Sequence, residues 1–370
     1  MKKMLTCSSL AAAGALWFAV SCGTPAADAE KAPREQLLDR FRRIEASGRY
    51  AFGHHDDPVY GCDWVGTPGR SDVRETAGDW PGVMNWDLGG IESVPAIQID
   101  GVSFERMRAE VQAQHARGGI NTFSWHLHNP LTGGNSWDCA GGDAVAAAVD
   151  PDTPIHDTLT RWIIRAADFL GNLRDPQGRR IPVVFRPWHE HTGSWFWWGR
   201  DWCSPEHYKA LWHLTRRIFD ERGIDNVLWA YSPDAVASEE AYLERYPDDA
   251  YVDVLGADAY HFDAEAGVAD YLARATRQLD AATAIARRTG KLVALTETGS
   301  EGIPMPCWFT EVLQPLCARY PIVYVCVWRN AHDRPGHFYA PCPGHPATAD
   351  FRRFREAPET LFASDLQSIE

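Results

Sequence analysis

The sequence lacks any stripe of basic side chains, and its formal net charge is −14. A protein that binds a polyphosphate neutralises the phosphates with clustered Lys and Arg, so a nucleic-acid partner is excluded. The chain also lacks the GxGxxG and Walker sequences that hold nucleotide phosphates, and the GxSxG elbow of serine hydrolases. These absences predict that the protein uses no nucleotide cofactor and no serine nucleophile of that type.

Metal-binding patterns are missing as well. No CxxC pair occurs, which argues against structural zinc. His189 and His191 flank Glu190 at i and i+2, whereas the zinc-protease motif places its histidines at i and i+4. The run His54–Asp57 offers four possible ligands in a row, but adjacent side chains rarely converge on one ion. We therefore expect no metal and no cofactor.

The N-terminal apolar run, Leu10–Val20, is too short to span a bilayer as a helix. It follows Lys2 and Lys3 and precedes Ser21-Cys22-Gly23, as in a bacterial lipoprotein signal. We predict a signal peptide over residues 1–22, lipidation at Cys22 and a tether over 23–33. The protein would then be exported and anchored to the cell envelope, in the periplasm or at the cell surface. Plain secretion is the alternative.

Seven cysteines lie beyond Cys22: Cys62, Cys139, Cys203, Cys307, Cys317, Cys326 and Cys342. Export permits disulfides, and an odd count leaves at least one thiol unpaired.

Eight short apolar runs are the main organising feature of the rest of the chain. They are Tyr50–Phe52, Val83–Trp86, Ile120–Trp125, Pro182–Arg186, Val227–Ala230, Val252–Ala257, Leu292–Thr296 and Ile322–Trp328. Amphipathic stretches lie between them: Phe104–Arg117, Leu159–Leu173, Pro205–Glu221, Val268–Arg288 and Phe309–Arg319. Buried parallel strands read as continuous apolar runs, and covering helices show a 3.6-residue period. The pattern predicts one (β/α)₈ barrel domain over residues 34–370.

Polar residues cluster where these runs end. They include Ser124-Trp125-His126, Trp188-His189-Glu190, Asp258-Ala259-Tyr260, Thr296-Glu297 and Trp328-Arg329. In barrels the active site lies at the C-terminal ends of the strands. The Gly- and Asp-rich segment His128–Pro154 is predicted to be a long loop that forms one wall of a cleft.

Two carboxylates, Glu190 and Glu297, stand at the ends of the fourth and seventh runs, on opposite sides of the predicted barrel. Facing carboxyls are what cleavage of a glycosidic bond requires: one donates a proton and the other attacks the anomeric carbon. Glu190 lies among tryptophans, which favours its protonated form. Glu297 should stay ionised beside a cation, for which Arg329 is a candidate. The alternative is that Glu190 is a buried glutamate paired with Arg186.

The chain contains 16 tryptophans, and their flat faces suit stacking on sugar rings. Trp195, Trp198 and Trp328 are candidates for such stacking, although core packing is an alternative for each. His126 and His189 are candidates to hydrogen-bond sugar hydroxyls, or else are core histidines.

Several segments together resemble glycoside hydrolase family 26. "RPWHEHTGSWFWWG" is similar to the acid/base segment of that family, and "ALTETG" to its nucleophile segment. "AFGHHDDPVYG", "MNWDLGGIE", "SWHLHNP", "DAYHFD" and "VCVWRN" resemble its other strand segments, in the family's order over about Gly48 to Arg329.

The resemblance implies a retaining enzyme on a (β/α)₈ barrel, most often an endo-acting β-1,4-mannanase. It implies that Glu190 is the acid/base and Glu297 the nucleophile. His126, Trp195, Tyr260 and Trp328 would line the subsite of the attacked sugar, with Tyr260 hydrogen-bonding near the nucleophile. His189 stands beside the acid/base as in the family. Asp258 and Arg329 fall in the same motifs.

The resemblance further implies that the substrate is a β-mannan-type polysaccharide or oligosaccharide: mannan, glucomannan or galactomannan. Within the family, the alternatives are a mannobiose-releasing exo-mannanase, a β-xylanase and a mixed-linkage glucanase. A non-catalytic, surface glycan-binding lipoprotein is the alternative from another class, but such a protein has no need of both glutamates.

Overall fold

Eight parallel strands form the centre of the computed structural model, which describes Met1 and residues 31–369. The strands are β1 Tyr50–His55, β2 Val83–Asp87, β3 Ile120–Ser124, β4 Val183–Arg186, β5 Val227–Tyr231, β6 Val254–His261, β7 Leu292–Ser300 and β8 Ile322–Val327. Each strand pairs with the next, and β8 and β2 both pair with β1, which closes the barrel. The predicted (β/α)₈ fold is confirmed, and each strand overlaps one of the eight apolar runs.

Helices surround this barrel. They are α1 Pro33–Ala46, α2 Asp72–Ala77, α3 Phe104–Ala116, α4 Ala144–Val149, α5 Pro154–Gly171, α6 Pro205–Glu221, α7 Glu239–Leu243, α8 Ala264–Thr289, α9 Gln314–Cys317, α10 Thr348–Glu356 and α11 Ala363–Leu366. A π-helical turn, Phe309–Leu313, leads into α9, a 3₁₀ turn, Gln367–Ile369, follows α11, and a two-residue strand, β9 Thr360–Leu361, extends the sheet beside β1. All five predicted amphipathic stretches are helical over most of their length.

Side-chain caps fix where several of these helices begin. Thr153 and Ser204 each accept a hydrogen bond from the backbone N–H three residues on, and each precedes a proline at the first helical position. Both features satisfy or remove the unpaired N–H groups of the first turn. Asp143 caps α4 in the same way, so the segment predicted as a loop over His128–Pro154 contains one short helix.

The apolar core forms two layers. Inward side chains of the strands, such as Val184, Leu228 and Ala294, form one cluster with Leu37 and Phe41 of α1. This helix therefore covers the end of the barrel where the strands begin. Outward side chains of the strands pack against the surrounding helices in the second, larger cluster. Polar side chains lie at the opposite end of the barrel, where the strands end.

One disulfide joins Cys62, after β1, to Cys342, before α10, across 280 residues of sequence. The remaining five of the seven cysteines are free thiols. Within residues 31–369, no helix is both long and apolar enough to cross a membrane. The predicted signal peptide, Cys22 and nearly all of the predicted tether lie outside the described residues.

Candidate active site

A cavity of about 410 Å³ opens at the C-terminal ends of the strands. Its lining follows the order of the strands around the barrel, from β3 to β8. The lining residues are His126, Trp137, Glu190, Trp195, Phe196, Asp234, Tyr260, Phe262, Arg274, Glu297, Trp328 and Tyr339. Both predicted catalytic glutamates thus face one cavity.

Two left-handed residues after β4 direct Glu190 into this cavity. Trp188 has φ +55° and Glu190 has φ +53°. Residues other than glycine rarely adopt this left-handed backbone region. The Trp188 indole is fully buried and donates a hydrogen bond to Thr215 Oγ1 at 3.2 Å, whereas the backbone N–H of Glu190 donates to the Ser232 carbonyl at 2.8 Å. The turn therefore buries the ring and leaves the neighbouring carboxyl at the cavity. Strain of this kind is concentrated at functional sites.

The environment of Glu190 favours a proton on its carboxyl. Burial raises the pKa of Glu190 well above its ordinary value, and the negative charges of Glu297 and Asp258 raise it further. The Trp195 indole N–H donates to Glu190 Oε2 at 2.7 Å and holds the carboxyl in place. Glu190 is therefore a group that can carry a proton near neutral pH and release it.

Glu297 has the opposite environment. It accepts hydrogen bonds from the Arg186 guanidinium and from the Tyr260 hydroxyl. Burial raises the pKa of the Glu297 carboxyl, but the Arg186 charge and the Tyr260 hydrogen bond outweigh it, and the net pKa lies below the ordinary value. Glu297 is therefore an ionised carboxylate, with the Tyr260 contact in the place that the family resemblance implied.

A β-bulge in β7 brings Glu297 to this position. Leu295 pairs with Ala257 of β6, but Glu297 pairs with Asp258, so Thr296 is an extra residue in β7. Leu295 faces the helices, and both Thr296 and Glu297 then face the interior: Thr296 Oγ1 donates to Asp258 Oδ1 at 2.6 Å, and Glu297 lines the cavity. A bulge re-aims side chains in this way and is common next to active sites.

Arg186 is the cation that pairs with Glu297. It ends β4, is 2% exposed, and pairs with Glu297 of β7 and with Asp258 of β6, the latter at 2.7 Å. Arg329, the candidate from sequence, instead pairs with Asp100 at 2.6 Å. Nor does Arg186 form an ion pair with Glu190, as the alternative for that residue required. Both differences arise because Arg186 points inward from the strand itself, whereas Arg329 lies beyond the end of β8.

Replacement of Arg186 by Met should lower the free energy of unfolding by about 3–5 kcal/mol, because Glu297 and Asp258 would stay buried without their cation. Urea denaturation would measure the loss. Arg217→Met is the matched control, since Arg217 pairs with Glu221 at the surface with both side chains more than 60% exposed. Such a pair contributes at most about 1 kcal/mol. Equal losses in the two variants would show that the Arg186 pairs do not stabilise the barrel.

Comparison with known proteins identifies the family. The model of glycosyl hydrolase family 26 matches residues 35–335. The chain belongs to this family. A curated relative, a mannan endo-1,4-beta-mannosidase of Bifidobacterium adolescentis, is 30% identical over 316 residues, which cover 80% of this chain. The aligned part spans only 31% of that relative's own length.

Solved family 26 structures share the fold over nearly the whole chain. A GH26 β-mannanase from Bacteroides ovatus is 45% identical with a TM-score of 0.87, covering 90% of this chain and 96% of that one. A modular endo-β-1,4-mannanase from Cellulomonas fimi is 32% identical with a TM-score of 0.79, covering 90% and 76%.

The substrate-binding residues that were predicted from the sequence fall into two groups. Trp195 and Trp328 line the cavity with His126 and Tyr260, beside the two glutamates. Four others lie outside the lining: His189, Trp198, Asp258 and Arg329. Trp198 is fully buried and its indole donates to the His189 carbonyl at 2.8 Å, so its ring supports the wall and has no face free for stacking.

Histidines on adjoining strands support one another at the cavity wall. His126 Nδ1 lies 2.6 Å from Asp87 Oδ2, and its Nε2 lies 3.2 Å from His189 Nε2. Burial and the Arg186 charge lower the pKa of His189 well below its ordinary value, so that ring is neutral. One face of His126 stacks on Trp137, with ring centroids 5.4 Å apart. The His126–His189 pair is thus a fixed polar part of the wall, of which His126 lines the cavity.

Six lining residues were not predicted: Trp137, Phe196, Asp234, Phe262, Arg274 and Tyr339. Trp137 lies in the loop that the sequence predicted as a cleft wall. Asp234 follows β5 within "YSPDAV", so the rule of polar residues after strands would have found it. Arg274 lies inside α8 and Tyr339 in a C-terminal segment without a motif, and no pattern identifies either of them.

Proposed function

We propose that this chain is a retaining endo-β-1,4-mannanase that hydrolyses mannan, glucomannan or galactomannan. The observation that supports this most is the pairing of a protonated Glu190 and an ionised Glu297 in one cavity. Environments that push two carboxyl pKa values apart separate an acid from a nucleophile. The mannan substrate is supported by family membership and by the mannanase names of the relatives.

The first step breaks the glycosidic bond. Glu190 gives its proton to the oxygen of the leaving sugar as a Glu297 oxygen attacks the anomeric carbon. The C–O bond to the leaving sugar breaks, and a covalent glycosyl ester forms on Glu297. Arg186 and Tyr260 hold the attacking carboxylate in place, since both bond to it before the substrate arrives.

The second step releases the sugar. Glu190, now ionised, takes a proton from water, and the water oxygen attacks the same carbon from the face that the leaving group vacated. The ester bond to Glu297 breaks, and Glu190 is protonated again. Two inversions leave the anomeric configuration unchanged, which is why the enzyme is of the retaining type.

Activity should have a bell-shaped dependence on pH. Glu297 must be ionised, so kcat/KM rises as pH increases through its lowered pKa. Glu190 must be protonated, so kcat/KM falls as pH increases through its raised pKa, above the ordinary range of a glutamate. On a β-mannobiosyl fluoride, whose leaving group needs no proton, the alkaline limb should weaken and the acid limb persist. An unchanged alkaline limb would contradict the role of Glu190.

Product analysis tests the proposed activity. Protein lacking residues 1–22 would be incubated with linear mannan, galactomannan, xylan, mixed-linkage glucan and cellulose. An early spread of manno-oligosaccharides is expected. Mannobiose alone from the start would replace the endo mode by an exo mode, and products only from xylan or glucan would overturn the mannan assignment.

We further propose that the protein is exported and lipid-anchored at Cys22. The support is the sequence Ser21-Cys22-Gly23 after the apolar run Leu10–Val20. In a bacterial host, the full chain should partition into the membrane fraction and incorporate labelled palmitate, and Cys22→Ala should do neither. Soluble wild-type protein in the culture medium would favour plain secretion.

A further inference from the structure

Three lining residues on the β5–β6 side of the cavity have no part in the steps above. Asp234 follows β5, Phe262 follows β6, and Arg274 projects from α8 behind them. They form one flank of the cavity, next to Glu190 on one side and Tyr260 on the other in the order of the strands.

Phe262 is unusual because 62% of this large apolar side chain is exposed. The Arg274 guanidinium carbon lies 5.7 Å from its ring centroid, and the Tyr260 ring lies 6.4 Å away, so the ring is supported from the protein side. An aromatic face held at the rim of a sugar-binding cavity can stack on the C–H face of a pyranose. The ring thus offers a platform beyond the sugar that Glu297 attacks.

Asp234 and Arg274 supply the polar contacts of such a platform. The Arg274 Nε donates to Asp270 Oδ2 at 2.8 Å and its Nη2 to the Tyr260 carbonyl at 2.7 Å. These bonds fix the guanidinium, while its Nη1 has no partner among residues 31–369. Asp234 is half-buried, and burial raises the pKa of its carboxyl. A fixed donor and a carboxyl acceptor on one wall can bind neighbouring hydroxyls of one sugar.

The side of the cavity formed by Trp328 and Tyr339 indicates which end of the substrate meets the wall formed by Asp234, Phe262 and Arg274. Trp328 and Tyr339 pack on Tyr260 with ring centroids 5.9 and 5.7 Å away, and enclose the place of the attacked sugar beside Glu297. From Trp328 that surface continues to Arg329 and Asp100, on the β8–β1–β2 side. We infer that the part of the substrate on the non-leaving side of the attacked sugar extends along the β8–β1–β2 side. The leaving-group part of the same chain then passes Glu190 and leaves the cavity at the β5–β6 side.

We propose that Asp234, Phe262 and Arg274 form the subsite for the leaving-group sugar. Phe262 stacks on the ring of that sugar, and the two charged groups bind its hydroxyls, so the glycosidic oxygen is held at the Glu190 carboxyl. This inference rests on the proposed function and deepens it. Cleavage is therefore efficient only when the leaving group is a sugar that fills this subsite.

The test compares two substrates. Mannopentaose has a sugar leaving group, whereas β-mannobiosyl fluoride has none. Phe262→Ala is expected to lower kcat/KM on mannopentaose by about tenfold, at the upper end of the effect of an aromatic contact. The loss on the fluoride should be at least about threefold smaller. Every productive complex of mannopentaose fills this subsite, so the positions of cleavage, marked by ¹⁸O from water at each new reducing end, should stay as in the wild type.

Asp234→Asn is the second variant, because it keeps the shape of the side chain and removes its charge. Loss of a charged hydrogen bond predicts an effect of about tenfold to a hundredfold on mannopentaose, again larger than on the fluoride. Each variant is measured at its own pH optimum, since the Asp234 charge also raises the pKa of Glu190. Val65→Ala is the control, as Val65 is 57% exposed and does not line the cavity.

Equal losses on both substrates, or a changed distribution of cleavage positions along mannopentaose, would overturn the subsite and leave the proposed function intact. Wild-type protein that cleaves neither substrate would contradict the proposed function, and the subsite with it.

Discussion

Glu297→Gln is expected to lower kcat on mannan by at least about 10⁴-fold, the scale on which removal of a nucleophile acts in other covalent mechanisms. An amide keeps the shape of the carboxylate but cannot form the glycosyl ester. Reducing-sugar release would measure the loss. Binding of mannan, followed by affinity electrophoresis, should persist.

Azide distinguishes loss of the nucleophile from general damage to the site. In Glu297→Ala the vacated space can admit azide, which attacks the anomeric carbon from the side where Glu297 stood. The expected product from β-mannobiosyl fluoride is therefore the α-configured azide. If azide restored no turnover, or gave only the β-configured product, Glu297 would not be the nucleophile.

Glu190→Gln should lower kcat on mannan by about 10²–10⁴-fold, the usual contribution of general acid catalysis. The amide cannot donate the proton that the mannosyl leaving group needs. On β-mannobiosyl fluoride the first step should proceed, because fluoride leaves without a proton, and the glycosyl ester should accumulate. Mass spectrometry of the intact protein would detect the added disaccharide.

Azide should give the opposite product when Glu190 is replaced. In Glu190→Ala, azide attacks the glycosyl ester in place of water and needs no base. The product should therefore be the β-configured azide, opposite to that of Glu297→Ala. An α-configured product would contradict the acid/base role of Glu190. A glycan-binding lipoprotein without activity would show turnover in neither the variants nor the wild type.

The strands of this barrel could be predicted because each is buried on both faces. Residues such as Val183–Phe185 pack inward against the barrel core and outward against helices, so the run is apolar throughout. The strand β9, with two residues, is too short to leave such a pattern. The loop around α4 was predicted as irregular because its six helical residues lie among Gly and Asp.

Site residues could be predicted where the end of a strand is enough to fix the direction of a side chain. They were missed where that direction depends on pairing between strands across the barrel. Glu297 ends a predicted strand, and so its place at the cavity followed. The choice between Arg186 and Arg329 depended on which side chain points inward at the level of Glu297, and this depends on register between strands distant in sequence. Trp198 points into the wall and donates to the His189 carbonyl, which lies between the left-handed residues Trp188 and Glu190, and no local sequence pattern predicts this turn.

The extra residue in β7 gives two consecutive side chains of this strand the same inward direction. Removal of Thr296 alone would leave Glu297 opposite Asp258, because Thr296 is the residue that has no partner in β6. It would also straighten the bulge and delete the hydroxyl that bonds to Asp258, so the direction of the Glu297 carboxylate relative to Arg186 and Tyr260 would change. Since a misplacement of about 1 Å can cost a hundredfold in rate, such a protein would contain every reacting group and be inactive. In grafting this strand onto another barrel, the number of residues between the last apolar side chain and the glutamate therefore matters as much as their identity.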